Sequence, residues 1–146
     1  MVADTLIVAE PGARYARHSP LVADCSVIAA LVFNEPERDT AGRILAGHDI
    51  HVPNLIDYEI ANVAVKKARS GFGENAGQAL DLYADFRLTR YEVEVSDQWH
   101  LAMRHELSAC DAAYLSLAET LGAPLATFDR KLGEAARRHL GQVGPN

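Results

Sequence analysis

The sequence predicts an α/β domain, a three-layer sandwich whose mostly parallel sheet is covered by helices on both faces. Short candidate strands recur along the chain, apolar at Leu21–Ala23 and Pro124–Phe128, a brief segment at Asp49–Val52 and an alternating one at Thr89–Val95. Segments with helical spacing lie between them and close at glycine or proline. Strands that alternate with helices imply right-handed crossovers, which put helices over both faces of a parallel sheet. At 146 residues the chain is the size of one domain.

The elements follow in order. Leu21-Val22-Ala23 is an apolar strand ending at Asp24. Ser26 to Phe33 is too apolar to stand in water as a loop, and Asn34-Glu35-Pro36 stops it as a helix. A second helix spans Pro36 to Gly47, with proline at its start and glycine at its end. Asp49 to Val52 is a short strand closed by Pro53. Leu55 to Ser70 carries Leu55, Ile56, Ile60, Val63 and Ala64 at helical spacing, and Gly71 ends it. A further helix runs from about Glu74 to Phe86, Thr89 to Val95 alternates as a strand, and Ser96 opens a helix to about Leu107. The last third reads as a helix, Asp111 to Leu121, stopped by Gly122, a buried strand, Pro124 to Phe128, and a helix from Asp129 to Leu140 stopped by Gly141. The organisation expected is an extension over 1–20, a domain over 21–140 and a short tail over 141–146.

Composition narrows the function classes. Fourteen Lys and Arg stand against 20 Asp and Glu, a formal charge of −6, and 49% of residues are apolar. That apolar share belongs to a globular protein rather than a disordered one. No run approaches the ~20 apolar residues of a membrane helix, and the first 20 residues lack the basic start and long apolar stretch of a secretory signal. Two cysteines, Cys25 and Cys110, make neither a disulfide framework nor a zinc cluster, so a cytoplasmic location is expected. The acidic balance argues against a broad basic surface for nucleic acid.

Four carboxylates stand where a solvated surface would not put them. Asp24 and Asp129 each end an apolar strand, and ligand sites in parallel sheets form beyond those carboxyl ends. Glu59 shares a helix face with Leu55 and Val63, and Asp111 has Tyr114, Leu115 and Ala118 as its helical neighbours. A carboxylate turned toward a core is costly unless it is paired, hydrogen-bonded or bound to metal. Singly, Asp24, Asp111 and Asp129 also read as helix caps or macrodipole partners. Together they need a counter-charge, because like charges raise one another's pKa. Mg2+ or Mn2+, which prefer oxygen ligands, would supply it. Such a site activates water for in-line displacement at phosphorus. The chain has no glycine-rich phosphate loop and no nucleophile elbow.

Three blocks carry a family likeness: VADCSVIAALVFNEPE, VPNLIDYEIANVAVKKARSG and CDAAYLSLAETLGAPLATFDRKL. In order and spacing they resemble the PIN domain of bacterial VapC-type toxins over about residues 21–140. The resemblance implies a sheet of about five strands and a catalytic, metal-binding quartet of Asp24, Glu59, Asp111 and Asp129, with Asp24 and Asp111 the firmest ligands. It further implies Ser26, Asn62 and Thr127 as residues supporting the ligands and metal waters. By the same likeness the protein cleaves RNA with Mg2+ or Mn2+, forms a homodimer and is restrained by a small antitoxin protein. The sequence departs from the family in its long start and in Cys25, where Thr, Ser or Ala is usual.

RNA contacts are expected from local basic residues: Lys66, Lys67 and Arg69 beyond Glu59, and Arg130 and Lys131 after Asp129. A charge run on a helix is also an ordinary solvated face. The six histidines show no metal-ligand spacing. A dehalogenase-like phosphatase would need an acid at position 26, where Ser26 stands, and a phospho-acceptor receiver would need a late lysine where Thr127-Phe128-Asp129 stands. A free-standing PIN nuclease of RNA processing and an inactive PIN-like binding module are the other readings. The acidic total suits a small substrate footprint and a basic antitoxin segment laid into the acidic pocket.

Overall fold

The computed structural model describes residues 18–143. Strand β1 (Ser19–Ala23) lies inside a sheet, flanked by β2 (His48–Pro53) and β4 (Leu125–Ala126), and β3 (Leu88–Tyr91) pairs with the far side of β2. All pairings are parallel, with Val22 opposite both His51 and Leu125. Burial on both faces explains why Leu21, Val22 and Ala23 run together without a polar break.

The first crossover carries α1 (Cys25–Val32) and α2 (Arg38–Leu45), and the second carries α3 (Ile56–Lys67) and α4 (Gly73–Ala84). Both step the same way across the sheet. The third carries α5 (Val95–His105) and α6 (Ala109–Leu121) back over the sheet to β4. Right-handedness therefore places α1–α4 on one face and α5 and α6 on the other. The final helix, α7 (Arg130–Val143), packs against β4 and α6. The core joins the layers through Val27 and Ile28 of α1, Ile56 and Ile60 of α3, Tyr114 and Leu115 of α6, and Leu132 of α7.

Several sequence expectations are corrected. Among the described residues the sheet has four strands, not about five. β1 starts two residues early, at Ser19, where an exposed serine and a proline gave no apolar signal. α2 starts at Arg38 because Pro36 belongs to a turn, in which the Glu35 N–H bonds Ala30 O and the Arg38 N–H bonds Glu35 O. The residue before a proline resists helical geometry. β3 ends at Tyr91, whose carbonyl accepts from the Asn54 N–H, and Val95 opens α5. Gly71, in the left-handed region at φ 95°, breaks α3 from α4 within a π-helical turn. Gly122 stops α6 in the same region, at φ 60°, whereas α7 runs through Gly141 to Val143. Most of the extension read at 1–20 lies outside the described residues, and its last two positions already belong to β1.

Candidate active site

Asp24 leaves the end of β1 and caps α1 in extended backbone geometry, its Oδ1 accepting the Val27 N–H at 3.3 Å. Although only 4% exposed, it is well satisfied. The Ser26 hydroxyl donates to Oδ1 at 2.5 Å and the Thr127 hydroxyl to Oδ2 at 2.6 Å. Each hydroxyl also accepts a backbone N–H from the loop after β4, Phe128 to Ser26 at 2.9 Å and Asp129 to Thr127 at 2.8 Å. A hydroxyl both donates and accepts, so the two residues clamp that loop to the end of β1. Asp129 then starts α7, its Oδ1 accepting the Leu132 N–H at 2.9 Å.

The other two acids come from the helices. Glu59 is half-buried on α3, and the hydroxyl of the fully buried Tyr114 on α6 donates to its Oε1 at 2.6 Å. Asp111 sits in the first turn of α6, where Ser108 caps the helix by accepting the Asp111 N–H at 3.0 Å. The helix macrodipole favours a carboxylate there.

Burial and neighbouring carboxylates shift three of the four acids. Burial raises the Asp24 carboxyl above its ordinary range, against the Ser26, Thr127 and Val27 hydrogen bonds, and Asp111 adds to the rise. Burial raises Glu59 as well, eased by Tyr114 and worsened by Asp111 and Asp24. Asp111 is raised by burial and by Asp129, with Ser108 and Lys131 easing it. Burial pushes the Cys25 thiol up to about 12, with Glu59 and Asp24 contributing, and raises Cys110 too. Both cysteines therefore remain protonated at neutral pH. The Tyr114 hydroxyl is also raised, by burial and then Glu59, and stays a donor.

Among the described residues, no three Asp, Glu, His or Cys side chains converge tightly enough to hold a metal ion as they stand. The donors nevertheless suit a hard divalent cation. They are all carboxylate oxygens under mutual repulsion, and Mg2+ typically takes one or two carboxylates directly and keeps several waters. Free acceptor capacity remains at Glu59 Oε2 and Asp129 Oδ2, since Tyr114 and Leu132 engage only the other oxygen of each.

The remaining sequence candidates divide. Ser26 and Thr127 bond Asp24 directly, while Asn62 is exposed on α3 and takes no part in these hydrogen bonds. Lys131 is near enough to ease Asp111. Lys66 and Arg69 are exposed. Lys67 pairs with Glu35 at 2.6 Å and lies over the Phe33 ring, so its charge is engaged within the fold. Arg130 pairs with Glu134 at 3.1 Å. Sequence reasoning missed Tyr114 as a partner of Glu59. Its signal was a tyrosine three residues after Asp111 in a wholly apolar stretch, where a buried hydroxyl must find an acceptor.

Comparison with known proteins gives a consistent picture. The PIN domain family model matches residues 21–138. Ribonuclease VapC3 of Pyrobaculum aerophilum is 36% identical over 121 residues, which cover 78% of this chain and 92% of that protein. Among solved structures, PAE2754 from Pyrobaculum aerophilum superposes with a TM-score of 0.64 at 21% identity, covering 86% of this chain and 95% of that one. VapBC2 from Rickettsia felis, solved bound to a DNA fragment from its promoter, superposes with a TM-score of 0.57 at 16% identity, covering 80% and 92%.

Proposed function

This chain belongs to the PIN-domain family, and from that premise we propose that it is an endoribonuclease dependent on Mg2+ or Mn2+, the toxin of a type II toxin–antitoxin pair. The observation that carries the reading is the meeting of Asp24, Glu59, Asp111 and Asp129 near the carboxyl ends of β1 and β4. There burial, with neighbouring carboxylates adding to it, raises the proton affinity of Asp24, Glu59 and Asp111, which favours a cation equally. The name of the Pyrobaculum relative, a ribonuclease, supports the substrate class.

Asp24 and Asp111 would hold the metal ion, with Glu59 and Asp129 completing or orienting its shell. The bound ion would supply Lewis acidity, lowering the pKa of a water and offsetting charge on the scissile phosphate. The protein residues set the geometry. Ser26 and Thr127 fix the Asp24 carboxylate in one orientation, and Tyr114 does the same for Glu59 while leaving Oε2 available. Lys131 beside Asp111 is the best-placed phosphate contact, with Lys66 and Arg69 further along α3.

A small antitoxin protein would restrain the enzyme by laying an Arg or Lys among the carboxylates. A homodimer would cover the exposed row of Val95, Trp99 and Met103 on α5. No helix among the described residues is long and apolar enough to cross a membrane, and the reading places the enzyme in the cytoplasm.

The test is RNA cleavage by the purified protein with Mg2+ or Mn2+, with EDTA, and with Asp24→Asn and Asp111→Asn. Full activity in EDTA overturns the metal-dependent reading. Expression that leaves growth unaffected, together with purification that brings down no small partner, overturns the toxin assignment.

A further inference from the structure

Away from the four acids, one cluster of titratable side chains joins three helices. The ring of His139 on α7, only 5% exposed, lies between His105 at the end of α5 and Glu119 on α6. Its Nδ1 stands 3.1 Å from His105 Nε2, and its Nε2 bonds a carboxylate oxygen of Glu119. His105 and Glu119 are 34 and 20 positions from His139 in the chain, so no local spacing announces the group. Glu119 lies beyond Asp111 by ~12 Å of helix rise along α6, and His139 beyond Asp129 by ~15 Å along α7. The cluster is therefore separate from the carboxylate site.

The bond to Glu119 sets the state of the pair. An ionised carboxylate only accepts, so His139 carries its proton on Nε2, and in the neutral ring the Nδ1 lone pair faces His105. Burial, then His139, Arg104 and Arg138, lower the His105 pKa from 6.5, so this ring is unprotonated at neutral pH, as a metal ligand must be. Two nitrogens bound to one zinc ion at ~2.0–2.1 Å stand roughly 3 Å apart, which is the separation found here. The ring centroids are 5.0 Å apart with planes at 83°. That is closer than imidazoles meeting head-on, so the rings are turned off the line joining the nitrogens, as ligands of a shared ion are. A carboxylate on the far nitrogen is the usual companion of a metal-binding histidine, fixing its tautomer and raising its basicity. His105 also closes α5, whose carboxyl end favours a cation, while Arg104 and Arg138 oppose one.

We propose that His105 Nε2 and His139 Nδ1 bind one transition-metal cation of the Zn2+ class, with Glu119 orienting His139. Imidazole suits such cations, whereas Mg2+ takes carboxylate and water. Among the described residues no three Asp, Glu, His or Cys side chains meet at one point, so water completes the shell. The ion would clip α5 to α7 in place of the hydrogen bond between the two rings. The proposal does not depend on the chemistry assigned to the four acids.

Titration of the EDTA-stripped, full-length protein with Zn2+ in excess Mg2+ tests it, read by histidine-ring 15N NMR and by calorimetry. One equivalent of Zn2+ should shift the signals of His105 Nε2 and His139 Nδ1 and leave those of His18, His48, His51 and His100 in place. His105 is only half-buried, and His105→Ala should weaken the binding at least about tenfold. Glu119→Gln, which keeps the side-chain shape, should weaken it ~10–100-fold, the range for a residue that orients a ligating histidine. Zn2+ that shifts neither ring, or that binds His105→Ala as tightly as the natural protein, overturns the proposal and leaves the pair a plain hydrogen bond between helices. Zn2+ taken up by the four acids gives that same unshifted result. A shift of His105 alone overturns it too, since it marks a single surface histidine.

Discussion

Asp24, at the end of β1, accepts hydrogen bonds from two hydroxyls and a backbone amide, whereas Asp111, opening α6, has one hydroxyl, from Ser108, and the Lys131 charge to ease it. The first carboxylate is fixed before any ligand arrives. The second is placed by its helix but left in a field of like charge from Asp129. Among the described residues no three of these acids converge on one point. One half is held by hydrogen bonds, and the other is set by its helix and by neighbouring charge.

Substitutions should separate the halves. Asp24→Asn places an amide N–H₂ opposite hydroxyls that already donate, and RNA cleavage should fall by about 100-fold or more, beyond the 10–100-fold typical of outer residues. Asp111→Asn should lose activity comparably, yet relieve repulsion. In the metal-free protein its Tm should rise by ~1–3 °C, and the gain in Tm on adding Mg2+ should shrink. A fall in metal-free Tm for Asp111→Asn would break the contrast.

Tyr114→Phe should cost about 10–100-fold in activity or metal affinity. Because the tyrosine hydroxyl lowers the Glu59 pKa, its removal should also move the acid limb of the pH–rate profile upward. An unchanged limb would mean that the hydroxyl does not act through Glu59.

Acidity probes the same carboxylates, raised by burial and then by repulsion, without mutation. Asp24, Glu59 and Asp111 all have folded pKa values above their ordinary 3.8 and 4.5. Their contribution to stability is therefore fully present below those ordinary values and is lost as pH rises through the raised ones. Metal-free protein should gain Tm as pH falls from 7 toward 5, and saturating Mg2+ should flatten that gain by holding the carboxylates ionised. His105 opposes it. Burial, then His139, Arg104 and Arg138, lower its pKa from 6.5, so its contribution is lost as pH falls below that value. The Tm profile of His105→Gln should therefore show the carboxylate effect more clearly.

The smallest effect is expected at Lys67→Ala. Activity should stay within about twofold while stability drops by ~0.2–1 kcal/mol, as for a partly exposed ion pair. A large activity loss would restore Lys67 as an RNA contact.

The sequence was most informative where burial demands one chemistry. Central strand β1 is apolar because both of its faces are covered, and Asp24 stands out at its end. Glu59 and Asp111 were visible as acids at apolar helical positions. Residues whose role depends on a distant partner were harder to read. Tyr114 looks like any core aromatic until α3 brings Glu59 to its hydroxyl, and Lys67 looks like a solvated charge until Glu35 and Phe33 meet it. Helix starts slipped where a proline belonged to the preceding turn, as at Pro36. Gly141 failed as a stop because glycine in a helix costs only about 1 kcal/mol, and neighbouring contacts decide the outcome.

The bond from Thr127 to Asp24 joins residues 103 positions apart. A ribosome must therefore make most of the chain before the first acid can acquire its clamp. Translation delivers Asp24 early and Thr127 late, so the nascent polypeptide carries an incomplete centre throughout most of its synthesis. A chain truncated before Thr127 would keep three of the four acids but lack the loop that anchors the first of them. For an enzyme that attacks RNA, the order of synthesis itself would delay activity until the protein is nearly finished.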